Sequence, residues 1–191
     1  MDNALTRWDK PEAAEEIDAY WRNSPDEGGH RQRLAALVHE QMETDGETLL
    51  EVGCGTGLVY SALRDEIGGR PPRYTGLDSS KRMLHIAGQR HVTALLVDGD
   101  AETLDFPDAY FDHAFAAEVF GHMADCTKAL GELLRVARKT AIFTLWVKDG
   151  LTSPLEGEDH YEYPTGWADL AVFRCQPPGQ WYTVDTRPMP W

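Results

Sequence analysis

The segment Glu51-Val52-Gly53-Cys54-Gly55-Thr56-Gly57 constrains this chain more than any other. It continues the short apolar run Thr48–Val52 and leads into a helical pattern with Val59, Leu63 and Ile67 on one face. An apolar run of that length ending in glycines suits a parallel strand buried on both sides. Glycines beyond the strand let the backbone turn tightly and let a ligand approach where a Cβ would otherwise stand. The free amides at the start of the next helix suit a carboxylate or another anion. A dinucleotide-binding turn spaces its glycines as G-x-G-x-x-G. Here the third glycine comes one residue early and Leu58 fills the usual slot, which disfavours a pyrophosphate ligand.

The same alternation continues downstream. Arg73–Leu77, Ala94–Asp98, Phe111–Ala117 and Thr140–Val147 read as strands. Residues 56–67, 80–87 and 127–138 read as the helices between them. Strands alternating with helices predict one α/β domain, a doubly wound, mainly parallel Rossmann-like sheet with helices on both faces.

Ahead of it, residues 9–22 predict a helix with Asp9 as cap and Glu12 at the capping-box position. Its apolar face is read as Ala13, Ile17, Tyr20 and Trp21, and Ser24–Gly29 reads as a turn that ends it. A second helix presents Leu34, Leu37, Val38 and Met42. Residues 1–44 are therefore expected to be a helical lead-in that packs on, or lids, a domain of residues 45–191. In the aromatic-rich tail, 169–175 and 180–185 suit an antiparallel pair across Pro177-Pro178-Gly179. The first of these also fits a helix, because Trp167, Leu170 and Phe173 fall near one face.

Composition narrows the partners. Eighteen basic against 32 acidic side chains leave a formal charge of −14, which repels phosphate backbones and anionic membranes. A small molecule is expected as partner, not nucleic acid or a membrane. The chain has no apolar run of membrane-spanning length, and Met1–Leu5 does not open a secretory leader. Its three cysteines are odd in number and match no zinc spacing, so a cytoplasmic, metal-independent protein is expected.

Two acids stand where the second and third strands end. Asp78, 21 residues beyond Gly57, can accept both hydroxyls of a ribose. It or Ser79 can also cap the helix that follows. In Val97-Asp98-Gly99-Asp100-Ala101-Glu102, Asp100 is the best placed to accept from an adenine amino group, with the next amide donating to the ring.

Taken together, Leu49–Gly57, Leu77-Asp78-Ser79-Ser80-Lys81-Arg82-Met83-Leu84, Asp100-Ala101, Leu104-Asp105-Phe106-Pro107-Asp108 and Phe111-Asp112 resemble the small-molecule class I S-adenosylmethionine-dependent methyltransferases. The likeness is to the ubiquinone/menaquinone-biosynthesis type and covers roughly residues 45–147. It implies a strand order of 3-2-1-4-5, with S-adenosylmethionine as cofactor and S-adenosylhomocysteine as product. It places Gly53 and Gly55 near the methionine part, Asp78 on the ribose, Met83 on the adenine face and Asp100 with Ala101 at its edge, and it implies Cys54 and Ser79 as further cofactor-binding residues. Glu118 and Val119 line the methionine side, and Tyr20 and Arg31 of the lead-in close over the cofactor.

The chain departs from the type before the fifth strand, where Ala137-Arg138-Lys139-Thr140 replaces a Pro-Gly-Gly turn, and in its short tail. The acceptor side is therefore read from position alone. Trp146, Tyr161, Tyr163 and Trp167 are expected to line it, and His122, shortly after the fourth strand, is the candidate base. The expected reaction is transfer of a methyl group to an oxygen or nitrogen of a small molecule. The alternatives are a cofactor-binding module without transfer and a nicotinamide-dependent oxidoreductase. The last would want G-x-G-x-x-G and often a Tyr-x-x-x-Lys pair, and neither is present.

Overall fold

The computed structural model describes residues 8, 10–44, 46–68, 72–123, 125–144, 170–176 and 180–187, the last two segments as backbone. The elements are α1 (Pro11–Asn23), α2 (Pro25–Glu40), β1 (Thr48–Val52), α3 (Leu58–Glu66), β2 (Arg73–Asp78), α4 (Lys81–Arg90), β3 (Leu95–Asp98), β4 (Phe111–Ala116), α5 (Thr127–Val136), β5 (Ala137–Thr144), β6 (Leu170–Gln176) and β7 (Gln180–Arg187). A 3-10 turn, Phe120–His122, follows β4.

One sheet runs β3-β2-β1-β4-β5-β6-β7. The first five strands are parallel and in the expected order, with Val52 beside Leu77 on one side and Ala116 on the other. In the tail, β6 pairs antiparallel with β5 and β7 with β6, so the strand reading of 169–175 holds over the helical one. Trp146, Tyr161, Tyr163 and Trp167 lie outside the described residues.

Neighbouring strand residues go to opposite faces, as the pleat requires. Leu49, Phe115 and Ile142 pack with Leu34, Leu37 and Val38 of α2 and Leu63 of α3. Leu50, Val52, Ala114, Ala141 and Phe143 pack with Ala129, Leu133 and Val136 of α5 on the other face. Helices therefore cover both faces of the sheet.

Several boundaries moved for local reasons. Lys10, not Asp9, is the N-cap of α1; its side chain makes no capping bond, and Pro11 begins the helix. The segment Ser24–Gly29 is not a turn that separates two helices by a loop. Ser24 accepts the Glu27 amide at 3.4 Å, Pro25 takes the first position, and both glycines lie inside α2. Ser80, not Asp78 or Ser79, caps α4, accepting from the Met83 amide at 3.2 Å. The buried stripe of α1 is Ala14 and Asp18, while Tyr20 stays 59% exposed. Asp18 is buried because Arg90 and Arg22 bond it. Burial raises its carboxyl, but the hydrogen bonds of Thr56, Arg90 and Arg22 outweigh this and lower it.

At the opposite end of the sheet from its glycine turn, Asp112 ties β4 to β1. It accepts the Thr48 amide at 3.0 Å and the Thr48 hydroxyl at 2.9 Å, and it pairs with Arg138. Burial alone would raise this carboxyl; the Thr48 amide, Arg138 and the Thr48 hydroxyl together bring it down to about 2. A depressed acid stabilises the fold above its unfolded value, near 4, and stops doing so as pH falls through its folded value. Arg138 is more than half exposed, so water screens part of the effect and about 1–2 kcal/mol remains. Asp112→Asn is expected to lower the melting temperature at pH 7. The gap to the parent chain should narrow between pH 5 and pH 2, to roughly half by pH 3. A gap that stays constant on acidification contradicts the assignment.

Candidate functional site

Beyond the carboxyl ends of β1 and β4 the chain order reverses: β1 is followed by β2 on one side and has β4 on the other. Open parallel sheets hold ligands in the crevice at such a point. Here the crevice is a cleft of about 630 Å³, a volume usual for a small-molecule site.

Its floor is the glycine turn. Gly53, Gly55 and Gly57 have φ of +69°, +51° and +77°, values that side chains with a Cβ rarely adopt. A Cβ on Gly53 would lie 2.2 Å from Val119 Cγ2, so the turn and the segment after β4 touch there. On Gly55 a Cβ would meet, among the described residues, only Trp21, at 3.8 Å. That position opens into the cleft.

Asp78 holds this turn in place. Its Oδ2 accepts the Gly55 amide and its Oδ1 the Ser80 amide, each at 2.8 Å. A carboxylate oxygen can accept more than one hydrogen bond, and Asp78 lines the cleft. Cys54 is tied to β2 through its amide and Leu77 O, at 2.9 Å, and its buried thiol is pushed well up by burial, then by Glu51 and Asp78. Ser79, Met83, Asp100 and Ala101 line the same cleft. The Asp100 carboxylate accepts the Glu102 amide at 2.8 Å, which closes the loop after β3. Farther along that loop Arg135 of α5 donates to Leu104 O and Phe106 O and pairs with Asp108, fixing Leu104–Asp108 from below.

On the other side stand Glu118, Val119 and His122. Glu118 has φ +56°, unusual for a residue with a side chain, and its amide donates to Thr144 Oγ1 at 2.7 Å. Strain of this kind costs on the order of 1–3 kcal/mol and clusters at functional sites. Burial, then the charge of Glu27, pushes the Glu118 carboxyl up to about 7, with Arg31 acting against them. His122 packs edge-on to Trp8, ring centres 5.7 Å apart. Arg31 lines the cleft from α2, donating to Trp21 O at 2.6 Å and facing Glu27 at 3.9 Å. Its proton affinity is lowered by burial and partly restored by Glu27 and Glu118. Tyr20, exposed on α1, is not among the lining residues.

Sequence reasoning missed one wall of the cleft. Trp8, Trp21, Glu27 and His30 belong to it, as does Glu51 on the floor. Glu27, His30, Arg31 and Leu34 repeat at helical spacing and share one stripe of α2. That stripe was a readable signal, hidden by taking Ser24–Gly29 for a turn. Glu51 is fully buried against Tyr74, whose hydroxyl donates to it at 2.5 Å. Burial raises Glu51 to about 8, with Tyr74 pulling down and Asp78 pushing up, so it is mostly protonated at neutral pH. Among the described residues, the ligand atoms of Glu27, His30 and Glu118 lie within 4.8 Å of one another, close enough to hold a cation.

Residues 50–145 match the family described as methyltransferase domain. The chain is 40% identical over 93 residues to the malonyl-[acyl-carrier protein] O-methyltransferase of Serratia marcescens, covering 49% of this chain and 35% of that protein. It is 34% identical over 109 residues to the demethylmenaquinone methyltransferase of Thermotoga maritima, covering 57% and 45%. The match thus spans less than half the length of either relative. In three dimensions the chain resembles the magnesium protoporphyrin IX methyltransferase of Synechocystis PCC 6803, solved with bound SAH. The TM-score is 0.64 at 15% identity, over 86% of this chain and 84% of that one, a likeness of fold.

Proposed function

The chain belongs to the methyltransferase domain family, and on that premise we propose that it moves the methyl group of S-adenosylmethionine to an oxygen or nitrogen atom of a small molecule. One observation carries the reading. The glycine turn, Asp78 and the Asp100-Ala101 pair, which come from the ends of three different strands, converge on a single cleft.

The residues present fit the cofactor. Gly55 leaves an approach without a Cβ, the Asp78 carboxylate is pre-oriented by two backbone amides, and Met83 offers a buried apolar face. Gly53, Cys54 and Gly55 would back the methionine part with Val119 and the Glu118 backbone opposite, Asp78 and Ser79 would take the ribose, and Asp100 with Ala101 the adenine edge. Arg31 supplies a cation for the cofactor's carboxylate, and Tyr20 joins it if α1 closes. Residues 1–44 would thus act as lead-in and lid to the domain that follows.

The cofactor, when bound, supplies a methyl group already activated by its sulfonium. The protein's part is to hold the acceptor in line and keep water out, which is worth on the order of 7–11 kcal/mol of barrier. His122 is the candidate base on the acceptor side, and Trp146, Tyr161, Tyr163 and Trp167 its candidate lining. Among the described residues no helix is long and apolar enough to cross a membrane, and the charge of −14 favours a small-molecule acceptor over nucleic acid.

The test is turnover. The chain, supplied with S-adenosylmethionine bearing a labelled methyl group and a panel of small amines, phenols and alcohols, should pass the label to at least one acceptor. His122→Ala should slow that transfer by roughly 10²-fold or more if His122 is the base. A chain that binds the cofactor and labels nothing across the panel is a binding module, and the transferase reading fails.

A further inference from the structure

The acceptor end of the cleft has an uneven charge and an aromatic wall. Among the described residues, seven carboxylic side chains line the cleft as a whole against one arginine, and of the seven Glu51 is mostly protonated. The assignments above leave Glu27, the Glu118 carboxyl, Trp8, His122 and Met123 to face the acceptor. Glu27 and Glu118 approach each other within 4.8 Å with His30 beside them. Trp8 and Trp21 stand 6.2 Å apart, ring centre to ring centre, with Trp21 over Gly55 and His122 edge-on to Trp8. Arg31 faces Glu27 at 3.9 Å and answers one of these acids, and the second acid shares the cleft with the two indoles, a combination that favours an organic cation over a second carboxylate.

We propose that the methyl acceptor is a small arylalkylamine, bound as its ammonium between the Glu27 and Glu118 carboxylates with its apolar part against Trp8 and Trp21. This rests on the methyltransferase reading. Before transfer the ammonium gives one proton to the Glu118 carboxylate, leaving a neutral amine. The amine's lone pair forms the new C–N bond while the S–C bond breaks toward sulfur. The product is an N-methylammonium, S-adenosylhomocysteine and a neutral Glu118, whose proton passes to water as the products leave. The burial that raises Glu118 suits it to hold a proton, and with this acceptor His122 frames the site while Glu118 takes the proton.

Calorimetry on the chain saturated with S-adenosylhomocysteine tests this with three probes of similar shape: phenethylamine, 2-phenylethanol and 3-phenylpropionate. Phenethylamine should bind at least about tenfold more tightly than either of the others. Glu27→Gln, and separately Glu118→Gln, should each erase most of that preference. Equal or reversed preference in the parent chain overturns the proposal, as does no measurable amine binding. So does binding of Mn²⁺ at the same acids that the amine cannot displace. Titration with S-adenosylhomocysteine alone separates the two levels. If it binds and the amine preference is absent, only the acceptor class is wrong; if it does not bind, the methyltransferase reading falls and takes the acceptor with it.

Discussion

Gly53→Ala is expected to destabilise the chain by about 2–5 kcal/mol. Two effects add. At φ +69° any residue with a Cβ pays for the left-handed conformation. The new Cβ would also lie 2.2 Å from Val119 Cγ2 and 3.3 Å from Cγ1. Valine is stiff about χ1, so it cannot swing aside cheaply. Val119 itself follows the strained Glu118 and leads into the 3-10 turn that presents His122, so a shift there disturbs both sides of the cleft. Gly55→Ala makes the control. It has a similar φ, but its nearest neighbour would be Trp21 at an ordinary 3.8 Å. It should cost about 1–2 kcal/mol of stability and chiefly obstruct the ligand. Thermal melts of both variants, and of Gly53→Ala combined with Val119→Ala, separate the terms. The double variant should recover the steric part. Equal melting temperatures for Gly53→Ala and Gly55→Ala would show that the contact with Val119 does not matter.

The sheet was legible because its signals are local. The apolar run Thr48–Val52 and its glycines mark β1 and the turn, and the breaks before Arg73 and after Asp98 mark strands whose order the family resemblance implied. Boundaries were less legible where proline or its absence decides them. Pro11 and Pro25 start helices that the sequence reading began or broke elsewhere. The chain passes from Val136 straight into a strand at Ala137, three residues before the expected start, because Ala137 already pairs with Phe111. The cofactor side of the cleft lies at strand ends, so Asp78 and Asp100 could be placed from sequence. The facing wall comes from Trp8, Trp21 and Glu27, whose position depends on how α1 and α2 pack on the sheet. No periodicity in the sequence states that packing.

Asp78 is where fold and proposed chemistry meet most closely. Its carboxylate fixes the Gly55 amide of the cradle and the Ser80 amide before α4, and the residue lines the cleft. Removing it leaves two amides without their acceptor, each worth about 1–3 kcal/mol if no water replaces it. It also removes the partner proposed for the ribose hydroxyls, where a charge-assisted bond contributes about 1.5–3 kcal/mol. Asp78→Ala should therefore weaken cofactor binding by roughly tenfold at least, and by more if the turn loosens. Asp78→Asn retains one acceptor oxygen and should fall between the two.

The measurement that bears most directly on the central claim is calorimetric titration of S-adenosylhomocysteine into the parent chain and into Asp78→Ala, each checked for folding by circular dichroism. The account predicts one site per chain in the parent and a dissociation constant at least about tenfold higher in the variant. A folded parent chain that does not bind, or a folded variant that binds as tightly as the parent, would contradict it.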